Sequence, residues 1–261
     1  MVQVPDSQEE RARRFDELFL AYEQSDRLPA LMRAALDQAM PPEVQPYSFV
    51  TLGALRKVAA ELRVSGDEVI VDLGCGRGGP GMWVARSTGA RLVGVDLSAV
   101  AVTQASRRVT GYGLAHRPAF LVGDFGAVGL RDESAHGVMS VDSFHFSEDL
   151  DQAALDVFRI LHPGRRLVII NWEPRVWGRH QLPEALARLD FAAVLARAGF
   201  VGITVAERED WHRRQYALIR RLIATDPGSD GAVRRLRDEA LRSRAWMALI
   251  RRVIVTAVRP R

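Results

Sequence analysis

Val69-Ile70-Val71-Asp72-Leu73-Gly74-Cys75-Gly76-Arg77-Gly78-Gly79 decides the fold of this 261-residue chain: an apolar, β-branched run that breaks abruptly into glycine. Residues 68–71 and Leu73 read as a buried strand. Pro80, directly behind, suits the first turn of a helix, where its missing N–H costs no hydrogen bond. A strand, a glycine turn and a helix N-terminus form a cradle for a nucleoside-containing cofactor. Glycine lets the backbone approach a ligand and take positive φ. The turn alone does not choose the cofactor.

Outward from this stretch, strand and helix alternate. Two amphipathic helices are expected over 7–24 and 27–39, with Phe15, Leu18, Phe19 and Tyr22 on one face of the first, before Met40-Pro41-Pro42 interrupts them. A third helix is expected over 49–62. Strands are expected at 91–95, 119–122, 137–141, 167–170, 201–205 and 252–258. Helices are expected at 99–109, capped by Ser98, at 149–161 and at 184–198, where Gly199 is a stop. Residues 211–246 read as helical around a break at Asp226-Pro227-Gly228. The order predicts an α/β fold: a doubly wound, seven-stranded, mostly parallel, Rossmann-like sheet, with N-terminal helices and a helical cap inserted between the last two strands. One domain is expected, divided into a helical lid (1–46), a cofactor-binding core (47–208), the cap insertion (209–248) and the terminal strand (249–261).

Composition narrows the function classes. No apolar run approaches the ~20 residues that span a bilayer, and the Met1–Asp6 start leads into a charged helix rather than a signal peptide. A cytoplasmic protein is expected. The single cysteine, Cys75, excludes an internal disulfide and a cysteine-cluster metal site; no metal is expected. The net charge is +4, and Lys57 is the only lysine. From Trp211 to Arg261 thirteen arginines face four acidic residues, a local balance of +9 that raises nucleic-acid binding as a reading. Acids and apolar residues interspersed at helical spacing in Arg234-Arg235-Leu236-Arg237-Asp238-Glu239 favour a packed surface helix instead.

The second strand ends in Asp96, 22 residues after Gly74, where an acidic residue of a doubly wound fold accepts ribose hydroxyls. Nicotinamide and S-adenosylmethionine binders share that spacing. Gly74, Gly76 and Gly79 satisfy a dinucleotide count, but Asp72 ahead of them would repel a pyrophosphate and favour a cationic aminoacyl group. In Gly123-Asp124-Phe125 the carboxylate can accept from an adenine amino group and the ring can lie against it.

Asp72-Leu73-Gly74-Cys75-Gly76, Asp96 and Gly123-Asp124, followed by His162-Pro163-Gly164, resemble the class I S-adenosylmethionine-dependent methyltransferases, over residues 47–200 and the terminal strand. Arg165 stands where that family has a second glycine. The resemblance implies S-adenosyl-L-methionine as cofactor. Gly74, Cys75, Gly76 and Asp72 would face its methionine part, as would Asp142. Asp96 would hold ribose, Leu97 and Phe125 would pack on adenine, and Asp124 would hydrogen-bond it. The segment Tyr47, Ser48, Phe49, Thr51 would close over it, with Tyr47 against the sulfonium.

Val141-Asp142-Ser143-Phe144-His145-Phe146 lacks the Asn/Asp-Pro-Pro-aromatic motif of nucleobase amino-methyltransferases, which argues against nucleic acid. It is similar to small-molecule enzymes of natural-product metabolism. A small-molecule acceptor methylated at a nucleophile, a hydroxyl first, is therefore expected. His145 is the candidate general base and Glu173 a second catalytic candidate. Asn171 and Trp172, with Trp211 and Tyr216 from the cap (His212 and Arg214 beside them), are candidate acceptor contacts. The alternatives are an RNA methyltransferase using the arginine-rich region, and a cyclase-type enzyme that retains the cofactor without methylating.

Overall fold

The computed structural model describes residues 7–114, 116–177 and 181–261. The start at Met1–Asp6 lies outside the described residues. The chain opens with α1 (Gln8–Glu23) and α2 (Arg27–Leu36), and α3 (Leu52–Leu62) leads into the sheet. Then follow β1 (Val69–Leu73), α4 (Gly79–Thr88), β2 (Arg91–Asp96), α5 (Ala99–Arg108), β3 (Ala119–Val122), β4 (Ala135–Val141), α6 (Leu150–Ile160) and β5 (Leu161–Pro174). The remainder comprises α7 (Glu184–Ala187), α8 (Phe191–Arg197), β6 (Val201–Glu207), α9 (Glu209–Ala224), α10 (Gly231–Ser243) and β7 (Ile250–Val258).

The seven strands lie in the order β3-β2-β1-β4-β5-β7-β6, with β7 antiparallel to both neighbours and the other pairings parallel. This is the doubly wound, Rossmann-like sheet expected from the alternation. One face buries Ile70, Leu92, Met139, Val168, Ile170 and Ile254 against α3 and α4. The other buries Val71, Val138, Leu167, Ile169, Val253 and Val255 against α6, α8 and the lid and cap helices. Near-continuous apolar strands follow from coverage on both faces.

Several element boundaries differ from expectation, and three of the differences have a visible cause. The helix over 184–198 is two helices, because Asp190 starts a new one by accepting from Ala193 N–H (2.9 Å). Helix α3 begins at Leu52, capped by Thr51, because Phe49 N–H is held by Asp142 instead (2.8 Å). Strand β5 runs well beyond 167–170, because β7 pairs with it from Arg166 to Pro174.

The two ends of the chain build one roof. Arg27 donates to the carbonyls of Asp226 and Pro227 (3.0 and 3.1 Å), Ser25 to Asp230 (2.6 Å), and Arg214 to Leu36 O (2.7 Å). The predicted lid and cap insertion are thus joined to each other across the top of the sheet.

Candidate functional site

The carboxyl ends of β1 to β4 bring the expected cofactor residues to one edge of the sheet, on both sides of the β1–β4 boundary where strand order reverses. After β1 the chain turns through Gly74, Gly76 and Gly78 at φ of 69°, 51° and 75°. The N–H groups of Gly74 and Cys75 both donate to Val95 O (2.8 and 3.1 Å), tying the turn to β2. A Cβ on Gly74 would strike the Ser143 side chain, with Oγ at 2.5 Å, and one on Gly79 would strike the Val44 carbonyl. Glycine is therefore required at Gly74 by both dihedral and space. Arg108 braces the turn from outside by donating to Arg77 O and Glu43 O (2.6 and 2.5 Å). Cys75 is buried, and burial together with Asp96 and Asp72 pushes its thiol up, away from the reactive thiolate.

Two buried carboxylates flank this turn. Asp96 accepts from Gly76 N–H on Oδ2 (2.7 Å) and from Ser98 N–H on Oδ1 (2.9 Å). Burial outweighs those bonds and pushes its carboxyl up to about 6. Asp72, 2% exposed below the first turn of α4, is pushed up to about 7 by burial and then by the charge of Asp96, and its Oδ2 has no hydrogen-bond partner. Two buried acids beside a glycine cradle, one with an orphaned oxygen, fit a ligand that brings hydroxyl donors and a positive charge. They do not fit a pyrophosphate.

Asp124 accepts from Phe125 N–H (2.7 Å), and its other oxygen pairs with Arg11 of α1 (3.2 Å). The Phe125 ring comes within 3.2 Å of where a Gly74 Cβ would sit, so it borders the cradle, and half-buried Leu97 follows Asp96. Tyr47 meets Phe19 and Tyr22 edge-on (6.2 and 5.4 Å between centroids). Its buried hydroxyl has no partner, and burial holds its pKa far above the ordinary phenol value.

Helix α1 closes the roof with contacts its sequence did not announce. Asp16 accepts from Ser98 Oγ and Val100 N–H (2.5 and 3.1 Å), at the start of α5. Arg11 bridges Asp124 and Glu148, and the Phe19 ring lies against Gly76. The amphipathic pattern identified α1 as a helix, but not what its polar face would grip.

The second half of the site centres on Trp172, whose Nε1–H donates to Gln215 Oε1 (2.8 Å). His145 and Phe49 meet its ring edge-on (4.8 and 5.8 Å), and the Arg252 guanidinium lies 5.1 Å from its centroid. Arg252 is fully buried and donates from Nη1 to Asp142 Oδ1 (2.5 Å). Asp142, at φ 55°, holds Phe49 N–H with its other oxygen. The residue expected at the methionine end thus links β4, β7 and the lid entry. Sequence reasoning passed over Arg252, although a charged residue in a buried β-branched strand is the informative kind of exception.

His145 is buried against Phe146 and Trp172. Burial, then the charge of Arg252, pushes its imidazole down to about 3, so it is neutral at physiological pH. Glu173 has both oxygens engaged, one capping α8 through Phe191 N–H (3.0 Å) and the other paired with Arg251 (2.9 Å). Asn171 accepts from Trp172 N–H (2.8 Å), leaving its Nδ2 unpartnered. Trp211 is packed in the core, with the Arg208 guanidinium 4.7 Å from its ring centroid. Tyr216 is 41% exposed: Gln215 turns inward to Trp172, and the next residue of a helix points about 100° away. The expectation that Tyr216 lines the acceptor side is corrected accordingly.

Residues 71–169 match the family described as a methyltransferase domain. The matched stretch runs from β1 into β5 and contains the glycine turn, Asp96 and Asp124. Methyltransferase GfsG of Streptomyces halstedii is 31% identical over 131 residues, which are 50% of this chain and 47% of GfsG. The match therefore spans about half the length of that relative. Among solved structures, the [4+2]-cyclase SpnF superposes with a TM-score of 0.74 at 18% identity, covering 98% of this chain and 97% of that one. Phosphoethanolamine N-methyltransferase 2 of Haemonchus contortus, solved with S-adenosyl-L-methionine, superposes at 0.71 with 19% identity, covering 95% and 60%. These likenesses establish the fold of the domain, which extends beyond the matched core to the lid, the cap and β7. Among the described residues no helix is long and apolar enough to cross a membrane, and no group of three or more His, Cys, Asp or Glu side chains could hold a metal.

Proposed function

We propose that this chain transfers a methyl group from S-adenosyl-L-methionine to a nucleophile, a hydroxyl first, of a small metabolite in natural-product tailoring, in the cytoplasm. The observation that carries the reading is the pair of buried acids at the glycine turn, Asp72 with an orphaned oxygen and Asp96 at the end of β2. In this reading Asp96 takes the ribose hydroxyls, Asp72 the aminoacyl end, and Asp124 and Phe125 the adenine. When bound, the cofactor supplies a methyl group activated by a sulfonium. The chain aligns the acceptor and excludes water beneath the joined roof. His145, neutral and with a free Nδ1, is the group assigned to hydrogen-bond the acceptor. A small-molecule acceptor is favoured by the sterol 24-C-methyltransferase and tocopherol O-methyltransferase among the relatives, whose names give small molecules as acceptors.

The basic C-terminal region supports this reading over an RNA enzyme. Arg235 pairs with Glu17, Arg237 donates to Ile223 O, Arg251 pairs with Glu173 and Arg259 with Glu133. Much of the +9 balance thus serves internal contacts. The cyclase reading shares the fold, and isotope decides between them: methyl-labelled cofactor should deliver its label to the product, and product formed without label refutes transfer.

Two expected results follow. A carboxyl whose folded pKa is raised makes the unliganded chain less stable as pH climbs from the unfolded value of 3.8 through about 6 and 7. A cationic ligand returns both acids to the ionised state. Its binding should release protons near pH 6.5 and tighten toward pH 8, as read by calorimetry in buffers of different ionisation enthalpy. His145→Ala should lower turnover about tenfold, the cost of one lost hydrogen bond to the acceptor, with cofactor affinity intact. Because that imidazole sits near 3, no activity limb from His145 should appear between pH 6 and 8. Full turnover in the variant would make it a packing residue.

A further inference from the structure

Around Trp172 the structure buries an unusual number of hydrogen-bonding atoms that have no protein partner: Arg252 Nε and Nη2, Asn171 Nδ2, His145 Nδ1 and Ser48 Oγ. Their owners are connected. The Arg252 guanidinium and the His145 ring both lie on Trp172, Asn171 precedes it in β5, and Ser48 precedes the Phe49 that Asp142 holds. Arg252 is 0% and Asn171 0% exposed, and His145 is 7% exposed. A single orphaned donor is an accident of packing, but three donating N–H groups on one buried guanidinium, facing one side of a ring, are costly to leave unmade. Asp142 engages only Nη1 of Arg252. Arg188, anchored on the carbonyls of Ser147 and Glu148, adds positive charge near His145.

We infer that Arg252 binds an oxyanion of the acceptor, so that the substrate is a small molecule bearing a carboxylate or an ionised acidic hydroxyl (a phenol or enol). The inference rests on the methyltransferase reading and narrows its substrate class. It is consistent with the rest of the site. Glu173 is committed to α8 and Arg251, and His145 is held neutral, so the site has no strong base with which to deprotonate an aliphatic alcohol. An acceptor that arrives as an anion needs none. Its oxygens satisfy the buried N–H groups in charge-assisted bonds, and the planar fork of the guanidinium matches a carboxylate. The aromatic walls Trp172, Phe49 and Phe146 then favour a flat acceptor over a purely polar one.

The test uses the full chain loaded with S-adenosylhomocysteine, titrated with benzoate and, as a neutral analogue, with benzyl alcohol. Benzoate should bind saturably and more tightly than benzyl alcohol. Arg252→Met should weaken benzoate about tenfold or more while leaving benzyl alcohol unchanged. Equal benzoate affinity in the variant, or no preference for the anion, overturns the inference. The preceding S-adenosylhomocysteine titration separates the two readings: if that ligand fails to bind, the methyltransferase reading fails, and if it binds while benzoate does not, only the acceptor class fails. Should Arg252→Met not fold, crystals of the unaltered protein soaked in sodium bromide give the same answer by anomalous scattering. Bromide within hydrogen-bond distance of Arg252 supports the site, whereas ordered water alone there refutes it.

Discussion

Asp142→Ala should destabilise the chain by about 3–5 kcal/mol, because it leaves the Arg252 guanidinium buried without its counter-ion. The Tm should fall by about 10 °C. The same substitution removes the acceptor for Phe49 N–H and so loosens the entry to α3. Replacing both partners, Asp142→Ala with Arg252→Met, should recover most of the loss, since the penalty belongs to the uncompensated charge rather than to the missing bond. Thermal unfolding of the two single variants and the double variant checks this. Additive losses would show that the pair is not coupled. The expectation is sharp because every link is buried: Asp142 is 7% exposed and sits at a positive φ that few side chains accept.

Asp96→Ala should weaken S-adenosylmethionine binding by about 1–3 kcal/mol, the cost of leaving ribose hydroxyls and the Gly76 N–H without an acceptor. In the proposed site Asp96 acts twice, once through the ribose and once by fixing the turn at Gly76. Asp96→Asn, which keeps an oxygen but loses the charge, should fall between the two. Unchanged calorimetric affinity in Asp96→Ala would remove Asp96 from the site.

The fold was legible because the strongest signals in the chain are local. The apolar run ahead of Gly74, the Ser98 cap and the β-branched 252–258 segment each follow from short-range periodicity and capping. The candidate cofactor acids were legible for a related reason: in a doubly wound sheet the ends of β1, β2 and β3 must converge, so topology brings Asp72, Asp96 and Asp124 to one edge. The acceptor side has no such rule. Arg252 reaches Asp142 only because β7 inserts antiparallel beside β5, opposite Trp172, 110 residues away in the chain. Nothing near Arg252 in sequence announces that partner. Glu173 and Tyr216 mislead for the same reason. One turns to the start of α8, and the other is carried outward because Gln215 takes the inward position on α9. Helix α1 is intermediate: its amphipathic face predicts the helix, but the grip of Asp16 and Arg11 on α5 and Asp124 is tertiary.

Direct titration of the full chain with S-adenosylmethionine, with NAD as the competing ligand, bears most closely on the claim that the buried acids define the cofactor. The account predicts one saturable site for S-adenosylmethionine, proton release near pH 6.5, loss on Asp96→Ala and no heat from NAD. Saturable binding of NAD without any of S-adenosylmethionine would contradict it.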